Sequence, residues 1–209
     1  MINYSFFWFA ILLVNFHITA QDFTPQVKTF IAIDTTNFAI TNVSVIDGTG
    51  GNVKEGQTIV ISNGLIQDEG NAVSVVIPKN SLIINGTGKT VIPGLVMLHE
   101  HLFYSKPFEN WFSVGQMTFT FPRLYLAGGV TTMRTGGSIQ PQTDLNVKKW
   151  IEEGKMTGPK MDVTGPFIER EGYEIPELGF INGTAEVAKL INYWADKGVT
   201  SFKVLKFRT

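Results

Sequence analysis

The texture of the sequence changes at Val91, and no other feature constrains the fold as much. From Phe38 to about Thr90 the chain reads as short strands joined by tight turns. The segment FAITNVSVI alternates apolar and polar residues in its second half. It ends at Asp47-Gly48-Thr49-Gly50-Gly51, where glycines allow the positive φ a sharp turn needs. The strands QTIVIS and LIQ flank Asn63-Gly64, a strong two-residue hairpin signal. VSVVIP and SLIIN bracket Lys79-Asn80, and Asn85-Gly86 closes the series. Strands at this spacing predict a small antiparallel sheet, one layer of a β-sandwich.

After Val91, strands alternate with helices. The apolar runs VIPGLVMLHEHL, GGVTTMRTGG, KMDVTGPF and VTSFKVLKF are separated in part by two helical stretches. TDLNVKKWIEEGK offers Thr143 or Asp144 as a cap. TAEVAKLINYWADKG offers Thr184 as N-cap and Gly198 as its stop. Leu190 and Trp194, like Val187 and Ile191, lie four apart, which gives that helix an apolar stripe for packing on a sheet. The alternation indicates βα units around a parallel sheet. Residues 91–209 are roughly half of the ~250 residues typical of an eight-fold βα barrel. With VTSFKVLKF left as an apolar open edge, the expectation is an incomplete sequence.

Composition narrows the chemistry. Hydrophobic residues make up 44% and charged residues 17% of 209 residues, with a net charge of -1, so no basic stripe marks a nucleic-acid or anionic-membrane surface. A small-molecule substrate is expected, and a homo-oligomer is compatible with this composition. The chain has no cysteine. Disulfides, thiolate ligands and a cysteine nucleophile are therefore excluded, and a metal must rest on His, carboxylate or modified Lys.

The N-terminus, MINYSFFWFAILLVNFHITAQDF, reads as a signal peptide spanning residues 1–20. Its apolar run from Phe6 to Val14 is too short to span a bilayer, and Ile18-x-Ala20 supplies a cleavage context before Gln21. No Lys or Arg precedes the run. Export to the periplasm or outside the cell is expected, with no integral membrane span after cleavage. His17 would leave with the peptide, so the mature chain would keep His99 and His101 alone of its three histidines. Asn42, Asn85 and Asn182 begin Asn-x-Ser/Thr sequons, which chance alone can account for.

Alternation along the strand places Leu95, Met97, His99 and His101 on one face and Val96, Leu98 and Glu100 on the other. Two imidazoles thus point the same way from the C-terminal end of a strand, where barrel enzymes place their chemistry. Neutral imidazole is also the commonest zinc-binding side chain. The alternative is a pair of hydrogen-bonded core histidines.

TVIPGLVMLHEHL resembles the first-strand signature PGLxxxHxH of the amidohydrolase superfamily. The order VIDGTGG, strand, Asn-Gly hairpin and INGTGKTVIPGLV is similar to the branch of imidazolonepropionase-like enzymes and Xaa-Pro dipeptidase-like amidohydrolases. The resemblance covers roughly residues 38–209. It implies an α/β fold: the N-terminal half of a TIM-type (β/α)8 metal-dependent hydrolase barrel in residues 91–209, preceded by part of a composite β-sandwich in residues 21–90. It further implies that His99 and His101 bind one of two divalent metals, usually zinc. A lysine at the end of the fourth strand, carboxylated by carbon dioxide, would bridge both ions. Alternation puts Lys203 on a face with Ser201 and Leu205, and Lys203 is the candidate for that bridging carbamate; Lys206 falls on the other face. Where many members carry Asp two residues before the first histidine, this chain has Met97. The family's further histidines, its strand-eight aspartate and the general base would lie beyond Thr209.

Arg134 and Thr135 end the second strand and could orient substrate or form structural pairs. Residues 165–183 are long enough for a lid, in which Glu169, Arg170 and Tyr173 could touch substrate or be solvated. The aromatic run from Phe103 to Phe121 reads as packing. The function expected is a metal-dependent amidohydrolase that cleaves a non-peptide C–N bond with a metal-activated hydroxide. An Xaa-Pro dipeptidase-type metallopeptidase is the alternative, and a non-catalytic, truncated binding or structural protein is the rival outside enzymology.

Overall fold

A computed structural model describes residues 22–105, 114–169, 181 and 183–205. The proposed signal peptide, Arg170, Tyr173, Asn182 and Lys206 lie outside the described residues. After the single turn α1 (Pro25–Lys28), the first part of the chain forms a five-stranded sheet. Its strands are β1 (Asn37–Val45), β2 (Lys54–Ser62), β3 (Leu65–Asn71), β4 (Leu82–Asn85) and β5 (Thr90–Val91). The Asn63-Gly64 turn forms as its sequence demands, with φ of 51° and 75°, and joins β2 to β3 antiparallel.

The sheet is mixed rather than antiparallel. β1 is central: it pairs antiparallel with β2 on one side and parallel with β4 and β5 on the other. The expected VSVVIP/SLIIN hairpin does not form. Asn71 ends β3 by accepting the amide of Val73 on its side-chain oxygen and those of Ser74 and Val75 on its carbonyl. This turn sends Val75 into the core beside Ala39 and Val60, and the chain crosses to the far edge of β1. Crossing before pairing makes β4 run parallel to β1.

The second part contains β6 (Leu95–Glu100), an antiparallel pair β7 (Phe103–Ser105) and β8 (Val114–Gln116), α2 (Thr120–Ala127), β9 (Val130–Thr135) and α3 (Pro141–Glu152). It continues with β10 (Lys160–Asp162), β11 (Thr164–Ile168), α4 (Thr184–Asp196) and β12 (Ser201–Val204). β6, β9 and β10 pair in parallel, as do β11 and β12. The expected single strand KMDVTGPF is interrupted at Val163: its first half follows β9 and its second half turns to β12. One isolated bridge, Ser138 to Pro166, spans the break. β11 occupies the start of the expected lid, residues 165–168, and residues 170–180 of it lie outside the described residues.

Both helix caps differ from the sequence expectation. Gln140 caps α3, with Pro141 at the first helical position, where its missing N–H costs nothing. Asp144 is instead buried, accepting a hydrogen bond from Ser138 Oγ at 2.6 Å. Gly183 precedes α4, and Thr184 is its first residue. Leu102, Val130, Met133, Val147, Met161, Val163 and Val199 form the core between strands and helices, joined by Phe121, Tyr125 and Trp194. Complete burial of Leu102 or Met133 contributes roughly 2 kcal/mol each. Among the described residues, no helix is long and apolar enough to cross a membrane.

Candidate functional site

His99 is exposed near the end of β6, and half-buried His101 follows the strand. Their ring centroids lie 5.4 Å apart, edge to face. Across the parallel strands, Lys203 Nζ sits 3.2 Å from His99 Nε2 although 104 residues separate them. Phe167 completes the cluster. Its ring stacks on His101 at 6.4 Å between centroids and lies 5.3 Å from Lys203 Nζ, within cation–π range. Phe167 and Lys203 are register partners in β11 and β12, which fixes that approach.

The backbone of the β9–α3 loop orients both histidines. His101 Nδ1 is 3.2 Å from the Gly137 carbonyl oxygen, which can only accept; Nδ1 therefore carries the proton and Nε2 keeps its lone pair. Burial is the main influence on the His101 pKa and lowers it, opposed by the Gly137 hydrogen bond and assisted by the charges of Lys203 and His99. His101 is accordingly held in its neutral form. Its own carbonyl accepts from Tyr125 Oη at 2.9 Å. Burial, with Glu100 nearby, pushes the Tyr125 phenol up to about 12, so it remains a donor.

Two glycines are required here. A Cβ on Gly136 would lie 2.1 Å from His99 Cδ2, inside the imidazole. Gly137 has φ of 104°, and a Cβ there would meet the Phe167 ring at 2.6 Å. The TGG at the end of GGVTTMRTGG was the available signal, since paired glycines after a strand mark close backbone approach.

The remaining candidates are placed as follows. Arg134 donates to Ser201 Oγ at 2.6 Å and lies 3.8 Å from Asp162, so it ties β9 to β10 and β12, two residues before Lys203. Thr135 is fully buried and shares a hydrogen bond with Thr164 at 2.9 Å; Thr164 also receives the Gly137 amide. Its hydroxyl supports the loop beneath the histidines. Tyr173 lies outside the described residues. A cleft of about 1210 Å³ lined by Asp22, Lys28, Asp34 and Asn63 holds none of these groups.

The donors fit a divalent cation in part. Two imidazoles offer nitrogen donors, and Lys203 Nζ, 3.2 Å from His99 Nε2, stands where a modified lysine could add to them. Among the described residues, no three His, Cys, Asp or Glu side chains gather. The cluster therefore supplies some, and not all, of a ligand set.

No protein-family model matches the sequence, and no curated protein matches it. Solved structures do. A Bifidobacterium longum protein assigned as a prolidase superposes with a TM-score of 0.67 at 25% identity, over 83% of this chain and 41% of that one. A Xaa-Pro dipeptidase with bound methionine gives 0.67 at 22% identity, over 80% and 46%. Molinate hydrolase gives 0.61 at 20%, over 80% and 44%. The likeness is to the amidohydrolase superfamily. The chain spans less than half the length of these amidohydrolase structures. These relatives are hydrolases, and their fold is the α/β arrangement described above.

Proposed function

We propose that this chain contributes the first four βα units, residues 91–209, of a metal-dependent amidohydrolase barrel, with residues 21–90 forming part of a composite β-sandwich. The reaction is hydrolysis of a C–N bond in a cyclic or other non-peptide amide of a small molecule. The observation that carries this reading is the meeting of His99, His101 and Lys203 at the C-terminal ends of parallel strands, where barrel chemistry resides.

In this reading His99 and His101 would hold the cation, with Gly137 leaving Nε2 of His101 free to do so. The neutral Lys203 amine, its ammonium proton lost to water, would bond to the carbon of carbon dioxide and release a second proton to water. The resulting carbamate would supply the anionic oxygen donors that an ammonium lacks. Bound divalent ions, zinc by preference, would polarise the amide carbonyl and bring the pKa of water towards ~7. Phe167 walls the cluster beside Lys203. Residues 1–20 direct export.

A second reading, cleavage of Xaa-Pro dipeptides, draws support from the prolidase and Xaa-Pro dipeptidase among the similar structures. The zinc-loaded full-length protein is to be assayed on a panel of cyclic amides, N-acyl amides and Xaa-Pro dipeptides. Turnover of amides that collapses in His99→Ala supports the first reading, whereas turnover confined to Xaa-Pro dipeptides selects the second. Unchanged turnover in His99→Ala would refute both.

A further inference from the structure

Glu169 follows the end of β11 and is 2% exposed, yet neither of its carboxylate oxygens has a hydrogen-bond partner among the described residues. Its backbone is firmly placed: the carbonyl accepts from Ile181 N at 3.0 Å. Burial alternates along the segment, with Phe167 and Glu169 buried and Ile168 between them partly exposed. The Glu169 side chain therefore lies on the face that Phe167 presents to His101 and Lys203, one strand repeat (~7 Å) further towards the C-terminal end. Burial alone pushes its pKa up.

An ionised carboxylate out of water needs a cation or hydrogen-bond donors, and leaving it unpaired is costly. Among the described residues, the buried carboxylate of Asp144 has Ser138 as a donor and Glu169 has no counterpart to it. We propose that Glu169 is a specificity determinant that receives a cationic group of the substrate, a primary ammonium or guanidinium, remote from the bond cleaved at the His99–His101–Lys203 cluster. The substrate class is thus a basic amide. This rests on the hydrolase reading for the chemistry and on Glu169 alone for the recognition, so the two can fail separately.

The test uses N-acetyl-L-lysine methylamide and its uncharged isostere N-acetyl-L-norleucine methylamide. Binding to wild type, Glu169→Gln and Glu169→Leu is measured by titration calorimetry, and thermal unfolding verifies that each variant is folded. Wild type is expected to bind the lysine compound about tenfold or more tightly than the norleucine compound, the range of a charge-assisted hydrogen bond. Both variants are expected to shrink that ratio to less than about threefold. Equal binding of the two compounds by wild type, or a preference that survives in a folded variant, overturns the proposal. Hydrolysis of matched lysine and norleucine amides by the zinc-loaded full-length protein is followed in parallel. A lysine preference in binding without hydrolysis of either amide leaves Glu169 as a cation site and removes the hydrolase reading. Hydrolysis of both amides without a binding preference removes the Glu169 assignment alone.

Discussion

Lys203 Nζ lies 3.2 Å from His99 Nε2, a contact between the first and last strands of the second part of the chain. If Lys203 is the carboxylated bridge, equilibrating the protein with ¹³C-bicarbonate and zinc should give a carbamate carbon signal by NMR. That signal should vanish in Lys203→Ala and persist in Arg134→Ala, whose side chain pairs with Ser201 and Asp162 instead.

On the metal-site reading, Gly136→Ala should weaken zinc binding without replacing either histidine. The new methyl would stand where the His99 ring is, so the imidazole must swing away. Loss of orientation of this kind costs about ten- to a hundredfold in metal affinity, checked by competitive zinc titration.

Tyr125→Phe removes the donor to the His101 carbonyl. The expected loss is about 1 kcal/mol of unfolding free energy, read from urea denaturation, since the phenyl ring keeps its packing against the core.

The buried Asp144 gives a pH signature in stability. Burial raises its pKa from 3.8 to about 6, and the Ser138 hydrogen bond only partly opposes this. A carboxyl that holds its proton more tightly when folded stabilises the fold while protonated. That contribution is complete below about 3.8 and is lost as pH rises through about 6, on the order of 3 kcal/mol. Wild type should therefore lose Tm across this window more steeply than Asp144→Asn, whose amide does not titrate. Parallel Tm profiles for the two proteins would exclude the effect.

Much of this arrangement was legible in the residues. Period-two alternation placed Lys203 on one face of its strand, and the HxH spacing put two imidazoles on one side of β6, because strand geometry is local. The parallel course of β4 was not legible. LIIN reads the same whichever neighbour it joins, and the decision lay with the Asn71 turn that carries the chain across β1. Asp144 looked like a cap because Asp at a helix start usually is one. Its burial depends on Ser138, brought over it by the β9–α3 loop. Glu169 read as an ordinary loop residue, since nothing local announces that a carboxylate will be covered.

The central claim is that His99 and His101 are metal ligands, and zinc binding by the chain and its two histidine variants tests it most directly. Dialysed full-length protein, titrated with zinc against a chromophoric chelator, should bind saturably, and His99→Ala and His101→Ala should each lose that binding while staying folded. Saturable zinc binding that both variants retain, or no binding by wild type, would contradict the account.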